Sequence, residues 1–120
     1  MHMLQTSAAL FAIAALGGLL MAGIRFTRHV NPPAWIAMGH GLLAASGLTL
    51  LVYAICTEHA APGMSLATGA LAMFLLAALG GAVMSLKYKW NRVLIPAWLV
   101  LGHATTAVLG FVVLLLAAFR

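Results

Sequence analysis

Apolar residues fill this chain in four long blocks, and the three short segments between them hold nearly all of its charge. The blocks run approximately from Thr6 to Ile24, Pro33 to Cys56, Leu66 to Leu86 and Leu94 to Phe119. A helix needs about 20 apolar residues to cross the roughly 30 Å hydrocarbon core of a bilayer, so each block predicts one membrane-spanning helix. Helix is the required form because lipid offers no partner to a bare backbone N–H or C=O. The connections are short, which makes neighbouring helices antiparallel.

Charge in the connections predicts how the chain lies across the membrane. The first carries Arg25, Arg28 and His29, and the third carries Lys87, Lys89 and Arg92. The second carries Glu58 and His59 but no lysine or arginine. Positively charged loops stay on the cytoplasmic side, so loops one and three face the cytoplasm of a cell inner (plasma) membrane and both termini lie outside. Trp35, Trp90 and Trp98 cluster near the basic end, as an interfacial aromatic belt would. The N-terminal segment, Met1 to Ser7, lacks the positive region of a signal peptide, so the first block reads as a retained span.

Composition narrows the class. The 120 residues are 65% hydrophobic and 6% charged, against about 25% charged in soluble domains. Six basic residues and one acidic one cannot cover a water-facing surface of this size. The net charge of +5 does not indicate nucleic acid, because the cations sit in the connections and act as topology signals. One cysteine, Cys56, allows no internal disulfide, and without a CxxCH motif there is no covalent haem attachment.

The chain also repeats itself at an offset of 63 residues. Ala15-Leu16-Gly17-Gly18 recurs as Ala78-Leu79-Gly80-Gly81, Pro33-Ala34-Trp35 as Pro96-Ala97-Trp98, and Gly39-His40 as Gly102-His103. From Ala9 to Ala54, 18 of 46 positions are identical to their partners without a gap. The expected fold is therefore an all-α integral membrane protein. It is a four-transmembrane-helix bundle made of two tandem helical hairpins, one single membrane domain over residues 1–120 with repeats at about 6–56 and 66–119. Both copies enter the membrane in the same direction, so a pseudo-two-fold axis along the membrane normal should relate them. Identity also has a helical period. His40, Ala44, Gly47 and Leu51 match His103, Ala107, Gly110 and Leu114, while Phe11, Ala14, Gly18 and Met21 match Phe74, Ala77, Gly81 and Met84. Lipid-facing positions need only be apolar, so the retained faces should point at the axis.

His40 and His103 are the only ionisable side chains well inside the blocks. Each lies about seven residues into its helix, roughly 10 Å from the basic end at 1.5 Å per residue. Polar residues at such depth mark function by default. Two opposed imidazoles at equal depth suit the two axial positions of a haem iron. Ala44, Gly47, Ala107 and Gly110 would leave room for the ring, and Gly17, Gly18, Gly80 and Gly81 would open further walls or allow close helix packing. Anionic propionates would favour the basic end, near Arg25, Arg28, Lys87, Lys89 and Arg92. Zinc fits poorly, since a structural site wants four ligands. The bland alternative is that each histidine only bonds a neighbouring helix. His2 and His59 fall at the other end, and nothing in their spacing demands a second haem there. Asn31, Asn91, Ser46 and Thr105 are polar groups available for support or for a quinone.

Four membrane helices with histidines on the second and fourth resemble the four-helix b-type cytochromes, including the cytochrome b561 family and the membrane anchors of respiratory enzymes. The resemblance covers the whole chain in architecture and rests on His40, His103 and the nearby glycines. It implies one non-covalent haem b (protohaem IX) ligated by His40 and His103, and electron transfer between a quinone pool and a redox partner. Relatives of this kind commonly carry two haems, whereas this chain has one intramembrane histidine pair. The expected partners are the lipid bilayer, a quinone, a redox protein or larger complex, and a second copy of the chain; nucleic acid is not among them. No catalytic residue is assigned, and the chain reads as an electron-transfer subunit rather than a stand-alone enzyme. The rivals are a haem-free structural anchor and a small four-helix transporter; an intramembrane acid is what the latter lacks, since Glu58 lies in a loop.

Overall fold

The computed structural model describes residues 2–120 as four long helices: α1 (His2–Arg28), α2 (Ala34–Thr57), α3 (Met64–Val83) and α4 (Ala97–Ala118). A π-helical segment, Met84–Lys89, continues α3 without a break. Met1, the first residue of the segment read as lacking a leader, lies outside the described residues. All four helices are long and apolar enough to cross a membrane. The molecule is 46 Å along its longest axis, close to the 40–45 Å of a bilayer with its headgroup layers.

Local chemistry sets the helix ends. α1 runs past its apolar block to Arg28, and Arg25 and Arg28 in its last turn suit the negative end of the helix dipole. The first helix of each hairpin gives way to a residue in the left-handed region, His29 at φ 54° and Arg92 at φ 57°. Pro33 and Pro96 then hold extended backbone, with ψ of 145° and 139°, immediately before α2 and α4. Proline bars its predecessor from helix, so Ile95 cannot be helical and α4 begins at Ala97 rather than at the expected Leu94. Gly63 precedes α3 at φ 88°, and a Cβ there would stand 2.7 Å from the Ala117 carbonyl oxygen. Only glycine meets both demands.

The helices pair closely as α1 with α2 and α3 with α4, and α1 meets α4 more extensively than α2 meets α3. The close-packed core occupies the end away from the basic loops. Leu4, Leu51 and Leu114 are wholly buried there, among Ala54, Ala67, Ala70 and Ala117. Ser7 Oγ donates to the Gly47 carbonyl at 2.7 Å, a buried tie between α1 and α2. At the basic end, Asn31 donates to the Val93 carbonyl (2.8 Å) and accepts from the Ile95 N–H (3.0 Å), pinning loop one to loop three. Large apolar side chains such as Leu16, Leu42, Leu79 and Leu101 face outward and are exposed. In lipid that surface carries no penalty; in water it would be an aggregation hazard.

Candidate functional site

His40 and His103 come together from α2 and α4, their ring centres 6.3 Å apart and their planes inclined at 68°. Each is held in the same way. His40 Nδ1 lies 2.7 Å from the Ala14 carbonyl oxygen on α1, and His103 Nδ1 lies 2.7 Å from the Ala77 carbonyl oxygen on α3. A carbonyl can only accept, so in both rings Nδ1 carries a proton, and in the neutral imidazole Nε2 then presents the lone pair. Two lone pairs cannot bond each other, and among the described residues neither Nε2 has a partner. The pair is thus oriented to receive a Lewis acid or a hydrogen-bond donor from outside the chain.

The glycine pairs explain how the rings reach those carbonyls. A Cβ on Gly17 or Gly80 would lie 3.7 Å or 3.6 Å from the Cβ of the facing histidine. A Cβ on Gly18 would come within 3.2 Å of His40 Cε1, and one on Gly81 within 3.5 Å of His103 Cε1. With no side chains at these positions, each imidazole packs closely against the neighbouring helix.

Both histidines line a cavity of about 560 Å³ in the basic half of the molecule, within the 300–1,000 Å³ range of small-molecule and cofactor sites. Phe11 and Phe74 line it toward the packed core, ring on ring with centroids 3.8 Å apart and planes 2° from parallel. Ala44 and Ala107 line its walls, and Arg25 and Lys89 line it on the basic side. The lining residues fall into pairs 63 positions apart, with one exception: Arg25 has its counterpart 64 positions on, at Lys89.

Of the ten residues expected at the site, six therefore share one cavity: His40, His103, Ala44, Ala107, Arg25 and Lys89. The other four lie elsewhere. Gly47 and Gly110 do not border the cavity, because side chains of the facing helices fill the space beside them; a Cβ on Gly47 would be 3.0 Å from the Phe11 ring, and one on Gly110 3.1 Å from Met73 Cβ and 3.5 Å from Phe74. Arg28 and Arg92 are exposed at the basic end, and neither lines the cavity. The polar groups noted as possible support are committed to the backbone: Asn31 to loop three, Asn91 to the carbonyls of Leu86 and Lys87, Ser46 to the Leu42 carbonyl of its own helix. Thr105 is exposed and does not line the cavity. His2 and His59 are exposed. Among the described residues no group of three or more His, Cys, Asp or Glu side chains gathers to hold a metal ion, so a bare ion would find two protein ligands and no more.

Sequence reasoning did not assign the Ala14 and Ala77 carbonyls, the seating role of Gly18 and Gly81, or the Phe11–Phe74 stack. All six positions are identical across the 63-residue offset, and that identity was the available signal. Comparison with protein-family models, curated proteins and solved structures finds no match to this chain.

Proposed function

We propose that this chain is a membrane b-type cytochrome, holding one non-covalent haem between His40 and His103 and passing electrons. The observation that carries the reading is the histidine pair with both Nδ1–H groups tied to backbone carbonyls. Histidines that ligate metals commonly donate the other ring N–H to such an acceptor, which fixes the tautomer and raises ligand basicity. The ring centres, 6.3 Å apart, leave room for one metal ion between two imidazoles bonded at about 2.0–2.1 Å. Among the described residues His40 and His103 come together with no third candidate ligand, which suits a metal whose other positions a macrocycle already fills.

The rest of the cavity is compatible with that occupant. Its walls are small apolar residues such as Ala44, Gly18, Ala107 and Gly81. The cations that line it, Arg25 and Lys89, suit carboxylates at the basic side. Below the phenyl stack the close-packed core supports a count of one haem per chain, distant from His2 and His59. Bound haem would supply a one-electron carrier, with His40 and His103 as the residues that would hold its iron, a ligand pair suited to electron transfer rather than oxygen binding. The chain's own part is to keep both Nε2 atoms unprotonated and aimed, and to surround the ring with apolar walls that exclude water.

The finer architecture belongs to the same proposal. The 63-residue repeat, the paired carbonyl bonds, the paired lining residues and the Phe11–Phe74 contact support two hairpin copies about a pseudo-two-fold axis that passes between the phenyl rings and between the imidazoles. The basic loops support a plasma-membrane protein with those loops in the cytoplasm and both termini outside. A haem near the cytoplasmic side would exchange electrons with a quinone or with a redox protein docked there.

The test is the absorption spectrum of the purified protein in mild detergent, oxidised and dithionite-reduced, with a pyridine haemochrome count. A low-spin b-type spectrum near one haem per chain, abolished by His40→Ala and by His103→Ala, is the expected result. A protein that stays colourless when expressed with added haem would leave a structural anchor as the better account.

A further inference from the structure

Lys89 is in an unusual position for a lysine at the end of a membrane-spanning helix. Such side chains normally extend along the apolar surface and place the ammonium in water. Here Nζ is wholly shielded from solvent and has no hydrogen-bond partner among the described residues, and the residue lines the cavity together with Arg25. Arg25 is itself buried and spends only its Nε–H, on the Ile95 carbonyl at 2.7 Å. Its terminal amino groups remain available.

The π-helical segment is what creates this pair. Met21 and Ala22 of α1 line the cavity, followed by Arg25; Met84 and Ser85 line it from the second hairpin, followed by Lys89. In an α-helix the counterpart of Arg25 would be Tyr88. The wider turn, with the Trp90 N–H bonded to the Ser85 carbonyl and the Val93 N–H to the Tyr88 carbonyl, holds one extra residue and brings Lys89 round instead. Arg25 is seven residues beyond Gly18 and Lys89 eight beyond Gly81, and both line the cavity.

We infer that Arg25 and Lys89 form a two-point clamp for the carboxylates of a dicarboxylic tetrapyrrole, one cation from each hairpin, which seats the ring with both acid groups toward the basic loops. The inference rests on the haem reading for the ligand class and adds which two of the chain's six lysines and arginines recognise it. An anionic lipid headgroup shares the carboxylate's charge and could meet the same cations, so the test uses a neutral detergent and varies the carboxylates alone.

The experiment titrates protein expressed under haem limitation with protohaem and with its dimethyl ester, which keeps iron and ring but masks both acids. The readout is the ratio of the two affinities, which cancels the difference in partitioning into detergent. In Lys89→Met and in Arg25→Met the ratio is expected to fall about ten- to hundred-fold, the worth of a lost charge-assisted hydrogen bond. Lys89→Arg should keep it. Unchanged ester binding, with an unchanged spectrum, shows that the variants remain folded. A ratio that does not move in either methionine variant overturns the clamp while leaving the histidine site standing. Binding of neither porphyrin to the unaltered protein overturns the haem reading, and the clamp with it.

Discussion

Phe11 of α1 and Phe74 of α3 lie face to face, 3.8 Å between ring centres and 2° from parallel, at the boundary between packed core and cavity. Each ring rests beside a glycine on the partner helix of its own hairpin, Gly47 or Gly110. This contact joins the two hairpins midway along the bundle and closes the cavity on the core side. Removing either ring leaves a void that the alanine-rich surroundings cannot fill, so Phe11→Ala and Phe74→Ala should each destabilise by about 2 kcal/mol or more. Denaturant unfolding in detergent checks it. Nearly equal losses are expected, and a large inequality would argue against a shared central role for the two rings.

Gly18 and Gly81 occupy equivalent places but not equivalent space. The added methyl of Gly18→Ala would press on His40 Cε1 at 3.2 Å, whereas that of Gly81→Ala would sit at an ordinary 3.5 Å from His103 Cε1. On the proposed haem reading, the first substitution should weaken haem retention about ten-fold by pushing one imidazole off its carbonyl, an effect of the size seen when groups supporting a metal ligand are disturbed. The second should be nearly silent. Haem content after purification reads both, and the order reversed would contradict the seating geometry.

Gly63 tests the loop at the other end. Alanine there must hold φ near 88° and place its Cβ against the Ala117 carbonyl, 2.7 Å away. The left-handed conformation alone costs roughly 1–2 kcal/mol for a residue with a Cβ, and the clash adds to it. Gly63→Ala should therefore lower the unfolding midpoint clearly while leaving the spectrum of the surviving folded protein unchanged, since the site is at the opposite end.

The four spans were legible because lipid demands a length and a composition that few other structures share. Pairing of the histidines was legible too: His40 and His103 match across the offset, and the fold brings their ring centres to 6.3 Å. What could not be read is what surrounds them. Gly47 and Gly110 looked like room for a ligand, yet conservation of a small residue between copies says only that something large lies beside it, and here that is a phenyl ring. Nor did one-dimensional spacing separate Arg28 and Arg92, which stay exposed, from Arg25 and Lys89, which turn inward. That distinction depends on helix phase in the last turn, where a single extra residue changes which side chain faces the cavity.

The proposed orientation has its own check. With Cys56, the only cysteine, replaced by alanine, a cysteine at exposed His59 in loop two should react with a membrane-impermeant thiol reagent added to intact cells. A cysteine at exposed Arg28 should react only after the membrane is opened. The reverse pattern would place the basic loops, and the cavity beside them, on the outer side.

Deleting Tyr88 offers the sharpest test of the π-helical segment. The extra residue is absorbed before loop three resumes the repeat: Arg92 takes the left-handed backbone that His29 takes in the first hairpin, at the original offset of 63. Removing one residue from the wide turn should let it close to an α turn, with the carbonyl of Ser85 bonding one residue nearer in the chain. Lys89 would then stand where an α-helix puts the counterpart of Arg25. The shortened protein should fold and hold haem with affinity within a few-fold of the original, whereas Lys89→Met with Tyr88 retained should not. Deleting Lys89 itself also restores the α turn but leaves Tyr88 in that place, so it should weaken binding as the methionine variant does. Equal haem affinity in the two deletions would mean that the wide turn serves only to join α3 to its loop, and that the cation it presents is incidental.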